Sequence, residues 1–448
     1  MFGWFAGRAR VFAPPSGTGF RAAAGRYTVR PMSHPSRLGY LVPEFPRQTH
    51  IFFWRECEEL RRRGVEPVFL STRRPPPAAC PHAFRDQAAA ATHYVFPPPP
   101  TSLFDLLVRP IGLARAFRYW LTLGGSLKDR LKYLALLVCA AHLAGYCRRH
   151  GVPHIHVHSC GQAALLAAFA QRLGGPGYSL TLHNPLVDHG PLQRQKWRHA
   201  RFALVVTNRL LDEVRRELAG DLPPVYVAPM GVDLDRFQRA TPYQPAEPAG
   251  PVHIFTCGRL HPGKRHDLLI RATGLLRAEG VDARLVIAGE DADSGTGQFR
   301  RDLEALVSEL NLGEYVRLPG ALSEADVRKE LESAHVFGLS SDTEALGIVL
   351  VEAMAMRVPV VTTDVGGTTE LVKDGANGLA VPPRDPSALA AAIRRIAADP
   401  GLAERFSAAG RATVEAGFGS GRSAETIVRG LREHAGWNEA GAELRTGL

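Results

Sequence analysis

The chain has 448 residues, 45% apolar and 22% charged, a balance that fits a globular protein of two to three domains. Of its net charge of +10, six units come from Arg8, Arg10, Arg21, Arg26, Arg30 and Arg37, in a stretch without acids, so the remainder is only mildly basic and nucleic-acid binding is excluded as the main role. Cys57, Cys80, Cys139, Cys147, Cys160 and Cys257 are scattered with no CxxC pair, which reads as buried thiols in a reducing cytosol and gives no zinc site.

Residues 1–37 read as a disordered extension or a start placed too early, with Met32 a natural initiator. Charges interrupt the apolar part of "MFGWFAGRARVFAPPSG", so its likeness to a secretory signal is weak. From residue 38 the pattern is strand, turn and helix, repeated. "RLGYLVPEF" reads as a buried strand, "IFFWRECEELRRRG" as a helix closed by Gly64, and "EPVFLST" as the next strand. A basic, amphipathic helical stretch fills 101–150. Its most apolar part, "YLALLVCAAHLAGY", is too short to span a bilayer and contains a histidine. The strands "HIHVHS", "GYSLTLH", "FALVVTN" and "PVYVAPMGV" follow. The polar, proline-bearing segment "QRATPYQPAEPAGP" (238–251) reads as a linker. The alternation then restarts with "VHIFTCG", "ARLVIAGE", "YVRLPG", "AHVFGLS", "VPVVTTDVGG" and "GLAVPP", and with helices over 266–279, 299–310, 324–334, 347–356, 386–398 and 401–416.

Strands that are nearly continuous apolar runs imply parallel sheets covered on both faces. The fold class expected is therefore α/β, with two doubly wound Rossmann-like domains, 38–237 and 252–448, facing a central cleft. The last helix is placed to pack back on the first domain. Ligands in such sheets bind beyond the carboxyl ends of the strands.

Two stretches carry candidate chemistry. In "CGRLHPGKRHDLLI" (257–270), Arg259 and Lys264 stand between a strand end and a helix start, which suits a diphosphate; a solvated loop with ordinary surface cations is the alternative. In "TEALGIVLVEAMA" (343–355), Glu344 and Glu352 interrupt an apolar run, although an unpaired carboxylate is costly to bury. With Glu344 in a loop and Gly347 opening a helix, the N–H groups of Gly347, Ile348 and Val349 point into the cleft. The two glutamates can then meet separate parts of one ligand, and neither lies in a core. His154, His156 and His158 alternate on one strand face, which is either a ligand-like cluster or a strand end approaching the cleft. The basic residues of 101–150, among them Arg115, Arg118, Lys128 and Lys132, either lie on an anionic membrane surface or belong to ordinary helices covering the first sheet.

The run from Glu344 to Glu352 is an E-x7-E motif. Together with "GRLxxxK", "VGGTTELV" (365–372) and "GANGLAVPP" it resembles the retaining glycosyltransferases of family four, which have the GT-B fold. "LVPEFPRQTH", "HIHVHSCGQAA", "SLTLHN" and "VAPMGVDLDRF" look like the subgroup that builds exopolysaccharide and colanic-acid-like polymers. The resemblance covers nearly all of 38–420. It implies that Arg259 and Lys264 hold the diphosphate of a nucleotide-sugar donor, aided by the amides of Gly347, Ile348 and Val349. It implies that Glu352 binds the ribose, that Glu344 and His183 approach the donor sugar, and that Glu370 is a further carboxylate near the cleft. It implies no cofactor and no metal. The acceptor would be a saccharide or a lipid-linked saccharide, and the location cytoplasmic, with a peripheral place at the inner face of the plasma membrane. The sequence departs from the family at Ala345-Leu346, where relatives commonly have Gly-Phe, and in the first loop, where "VPEFPRQTH" replaces a glycine pair. A nucleotide-sugar epimerase of the same fold and a catalytically silent nucleotide-binding protein stand as alternatives.

Overall fold

Runs of two to seven residues, most of them apolar, fold into the strands of two parallel sheets. A computed structural model describes residues 36–76, 79–291 and 296–437. The extension expected over 1–37 lies outside them, except for Ser36 and Arg37, which open the first strand. The first sheet comprises β1 (Ser36–Leu41), β2 (Val65–Ser71), β3 (His93–Tyr94), β4 (His154–Val157), β5 (Gly177–Leu182), β6 (Ala203–Val205) and β7 (Val225–Val227). The second comprises β8 (Val252–Cys257), β9 (Ala283–Ala288), β10 (Val316–Gly320), β11 (Val336–Leu339), β12 (Val360–Thr363) and β13 (Leu379–Val381). The strand orders are β3-β2-β1-β4-β5-β6-β7 and β10-β9-β8-β11-β12-β13, and every pairing is parallel. These are the two doubly wound α/β units expected from the sequence. In each, chain progression reverses between two central strands, β1/β4 in the first sheet and β8/β11 in the second. That reversal opens a crevice at the carboxyl ends.

The chain crosses between the units twice. After β7 the first crossing passes Gly231, whose neighbour Val232 pairs with the second crossing: Val232 N donates to Phe418 O at 3.0 Å and Ser420 N to Val232 O at 2.9 Å. A Cβ on Gly231 would stand 2.3 Å from Phe418 O, so the two crossings touch only because residue 231 has no side chain. The returning chain forms the helix Gly421–His434. Its Ala424, Ile427 and Leu431 are buried with Leu38, Tyr40 and Trp54 of the first unit. Segment 238–251, which joins the two units, also packs on the second. Tyr243 and Ala246 belong to the second unit's core, and the Arg239 guanidinium donates to the carbonyls of Leu331 and Met356.

The helix Ile51–Arg62 lies between the units and is covered on more than one side, burying Arg55, Glu56 and Glu59 along with Phe53, Trp54 and Leu60. Arg55 is 2% exposed. Its Nη1 donates to Glu352 Oε1 at 2.9 Å and its Nη2 to Glu324 Oε2 at 3.0 Å, both on the second unit, while its guanidinium lies 4.8 Å from the Phe237 ring centroid. A second cross-unit contact is the Glu370 carboxylate. It accepts from the N–H groups of Asn208 and Arg209 at 2.8 and 2.7 Å and so caps the first unit's helix Asn208–Glu217.

The first two of the alternating histidines, both on β4, are satisfied inside the first sheet by their neighbours on β5. His154 and His156 share the Ser179 hydroxyl at 3.0 and 2.7 Å, and His156 reaches Thr181 Oγ1 at 2.7 Å. Burial pushes His154 and His158 down to about 3 and holds His156 well below its ordinary value. All six cysteines are buried, and none is in a disulfide.

Two expectations follow. Replacing Arg55 with Ala leaves Glu352 and Glu324 facing each other without their cation and should cost roughly 3–5 kcal/mol in urea unfolding. The double variant Arg55→Met, Glu352→Gln should recover part of that loss; a single variant as stable as the parent would contradict the pairing. The buried histidines also predict a pH dependence. Unfolded histidines take up protons below about pH 6.5, whereas His154 and His158 do not until about 3. Their contribution is therefore complete above pH 6.5 and declines as pH falls through that window, by up to about 1.4 kcal/mol per pH unit for each group. The urea midpoint should drop between pH 7 and pH 5, and replacing His154 by Asn should flatten the decline.

Candidate functional site

Three loops of the second unit converge at its carboxyl edge. The first leaves β8 through Gly258 and Arg259 and ends in the short 3-10 turn Pro262–Lys264, where the His261 side chain accepts from Gly263 N at 3.1 Å. The second leaves β11 through Ser340 and Ser341 and reaches Glu344. Hydrogen bonds join the two: Ser340 Oγ donates to Arg265 O at 2.7 Å, and Asp342 N to Gly263 O at 2.9 Å. Lys264 Nζ lies 2.5 Å from Glu344 Oε2, and Ser341 Oγ donates to the same oxygen at 3.2 Å.

The third loop follows β12. Gly367 N donates to Glu344 O at 2.9 Å. A Cβ on Gly366 would stand 1.9 Å from Glu344 O, and one on Gly367 1.7 Å from Ala345 O. The glycine pair thus lets one backbone lie directly on the other and fixes the height of Glu344. Gly347, at φ 82°, turns the chain into the helix Ile348–Ala355. The N–H groups of Ile348 and Val349 stand in its first turn, where an α-helix supplies no acceptor of its own. Ala345 and Leu346 face the other way and pack against the first unit's core.

Across the cleft, the first unit presents His158 and His183 just past the ends of β4 and β5, and His50 at the start of the helix Ile51–Arg62. His158 Nδ1 is 3.1 Å from His183 Nε2. The His183 ring centroid is 5.6 Å from that of Phe52 and 5.4 Å from that of Phe53. Glu56 Oε2 accepts from the Tyr40 hydroxyl at 2.6 Å and lies 3.2 Å from His158 Nε2. Burial, reinforced by the charges of Arg47 and Arg259, pushes His50 down to about 3. Arg259 of the second unit is thus within electrostatic reach of His50 on the first. Burial also holds His183 well below its ordinary value, so its imidazole is neutral and serves as a hydrogen-bonding group rather than a cation.

Lys264, Glu344 and the Gly347–Val349 amides therefore share one corner. Arg259 stands on the adjoining loop, and His183 belongs to the first unit's facing edge. Glu352 and Glu370 do not stand free in the cleft. Glu352, expected outside any core, is 6% exposed; burial pushes its carboxyl up and Arg55 draws it back down. Glu370 is spent on the helix cap of the first unit. Sequence reasoning missed Arg55, Glu56 and His50. The available signal was that Arg55, Glu56 and Glu59 put charges on several faces of one short helix. In the His-x-His-x-His run, His154 and His156 meet hydroxyls while His158 meets His183 and Glu56, and among the described residues no group of three or more His, Cys, Asp or Glu side chains is arranged to hold a metal ion.

The family described as glycosyl transferases group 1 matches residues 238–413, which include all three converging loops. A D-inositol 3-phosphate glycosyltransferase of Kineococcus radiotolerans is 35% identical over 260 residues, 52% of this chain and 59% of that protein. An alpha-D-kanosaminyltransferase of Streptomyces kanamyceticus is 30% identical over 277 residues, 56% of this chain and 69% of that protein. The chain thus spans between half and about two thirds of the length of these relatives. The crystal structure of Anabaena Alr3699/HepE in complex with UDP and glucose superposes with a TM-score of 0.68 at 18% identity, covering 89% of this chain and 100% of that one, which extends the likeness in fold to both units. With its paired doubly wound sheets in the GT-B arrangement and its E-x7-E loop and helix, the chain belongs to the group 1 glycosyltransferases, family four.

Proposed function

We propose that this chain is a retaining glycosyltransferase that moves a sugar from a nucleoside-diphosphate donor to a saccharide or lipid-linked acceptor in surface-polysaccharide assembly, on the cytoplasmic side of the plasma membrane. The observation that carries the reading is the Lys264 ammonium 2.5 Å from the Glu344 carboxylate, beside the N-terminus of the Ile348–Ala355 helix. A cation and a carboxylate so placed can divide a bipolar ligand between them, diphosphate to one and sugar hydroxyls to the other. The Anabaena protein of the same fold holds UDP, which favours a uridine donor.

On this reading Arg259, Lys264 and the amides of Gly347, Ile348 and Val349 stabilise the charge that develops on the departing diphosphate. Glu352 accepts from the ribose hydroxyls, with Arg55 fixing its orientation through Oε1. Glu344 and His183 face the donor sugar. Glu370 contributes by holding the two units in register. In a same-face substitution the bond from the anomeric carbon to the phosphate oxygen breaks. The acceptor oxygen bonds to the face the leaving group quits, and the acceptor's proton passes to the departing diphosphate.

Glu344→Ala should lower transfer by about 10²–10³-fold while UDP still raises the melting temperature as it does in the parent. Full activity in that variant, or a glycosyl adduct trapped on Glu344, would overturn this account. Lys264→Ala should weaken UDP by about tenfold or more, as expected for loss of a charge-assisted bond, and leave uridine unaffected. Melting shifts with UDP, GDP and ADP identify the base. Product formed without any acceptor would point to isomerisation or hydrolysis instead.

A further inference from the structure

Among the described residues twelve large apolar side chains stand exposed, and ten of them lie between residues 96 and 131. Eight of these ten are carried by three helices that pack on one another, Thr101–Leu107, Pro110–Leu121 and the start of Leu127–Arg149; Phe96 and Val108 flank the first of them. Their spacing is helical: Leu103 and Leu107 are one turn apart, as are Phe117 and Leu121, and Leu127 and Leu131. Leu107 is 70% exposed and Leu127 76%. The opposite faces are apolar too, with Ala116, Tyr119 and Leu137 inside the first core. These helices therefore have two apolar faces, and only one is covered by the protein. Outward apolar surface gathered on one region marks a binding face rather than the scattered leucines of an ordinary surface.

The charges on the same helices are one-sided. Arg115, Arg118, Lys128 and Lys132 are exposed. The two acids of the region are occupied: Asp105 lies 3.5 Å from Arg149, and Asp129 caps its own helix through Ser126, with Lys132 3.7 Å away. Arg115, Arg118 and Lys128 have no ion-pair partner among the described residues. Trp120, whose Nε1 donates to Arg130 O at 3.1 Å, stacks with Phe117 at 5.2 Å within the same group. Among the described residues no helix is long and apolar enough to cross a membrane.

We propose that the outer face of residues 101–132 docks on an anionic lipid bilayer, with Leu103, Phe104, Leu107 and Ile111 entering the headgroup–acyl boundary and Arg115, Arg118, Lys128 and Lys132 meeting the lipid phosphates. Apolar side chains flanked by cations, with the exposed Asp129 carboxylate tied to Ser126 and Lys132, match the interfacial amphipathic pattern. A protein partner would instead have to supply matching acids as well as a fitted apolar surface. Each cation near an anionic leaflet raises partitioning by about fivefold, and salt weakens that part alone. Docking deepens the proposed function, because it brings the cleft to a lipid-linked acceptor, yet it is measured without any sugar.

The test is flotation of the full chain with vesicles of phosphatidylglycerol and phosphatidylcholine in equal parts, against phosphatidylcholine alone. The parent should float with the anionic vesicles and release progressively with salt. Arg115→Glu, Arg118→Glu, Lys128→Glu, Lys132→Glu together should lower binding at least tenfold. Leu103→Ser, Leu107→Ser, Ile111→Ser together should abolish the fraction that resists salt. Both variants should keep the parent's melting temperature and its shift with UDP, which shows that the fold and the donor site are intact. No flotation of the parent, or flotation of both variants equal to the parent's, overturns the proposal. Lipid-independent dimers in ultracentrifugation that the serine variant loses would also overturn it, assigning the face to a second copy of the chain. Loss of the UDP shift in the parent would instead count against the donor reading and leave the lipid result standing.

Discussion

One buried cation governs how the two units face each other. A guanidinium that is 2% exposed pays a large desolvation cost, which is met only where carboxylates and an aromatic face surround it. Arg55 belongs to the first unit, whereas Glu352 and Glu324 belong to the second. Neither unit could bury its share of this cluster alone. The arrangement that satisfies all three charges is therefore the arrangement in which the two carboxyl edges meet. The other cross-unit contacts act in the same sense: Glu370 on the helix Asn208–Glu217, Leu346 in the first core, and the paired crossings at Val232 and Gly419.

Much of this was legible in the sequence, for a clear reason. Strands buried on both faces must be apolar along their whole length, so β8, β9, β11 and β12 announce themselves, and the helices between them follow from the 3.6-residue period. The loops of the second unit were legible because their chemistry is local. Arg259 and Lys264 sit within eight residues of one another in sequence, and the Glu344 to Glu352 run spans a single turn and helix. The first unit's side of the cleft was not. Glu56, His158 and His183 meet only because β1, β4 and β5 are neighbours in the sheet, which is a property of topology rather than of any short stretch.

Two stretches show the same limit. The prolines and polar residues of 238–251 have the composition of a tether, yet Tyr243 and Arg239 anchor the segment to the second unit. Composition reports what a backbone can do alone and says nothing of what packs on it. The histidines of β4 look like ligands at a period of two. Whether they meet a metal or a hydroxyl depends on the residue opposite, and the register puts His156 across from Ser179.

The carboxylates of the cleft add a last constraint. Glu344 is bonded to Lys264, Glu352 to Arg55, and Glu370 to a helix terminus, so none of them waits as a bare charge. That is what burial requires, since an unpaired carboxylate would be neutralised or would open the structure to water. It also changes what binding means here. A ligand that takes Glu344 or Glu352 must share or replace a bond already made, so its affinity reports the difference between two sets of contacts. Arg55 is the sharper case. Its second partner, Glu324, keeps it in place while Glu352 is shared, so the cross-unit anchor and the ligand site can use one carboxylate without the anchor giving way.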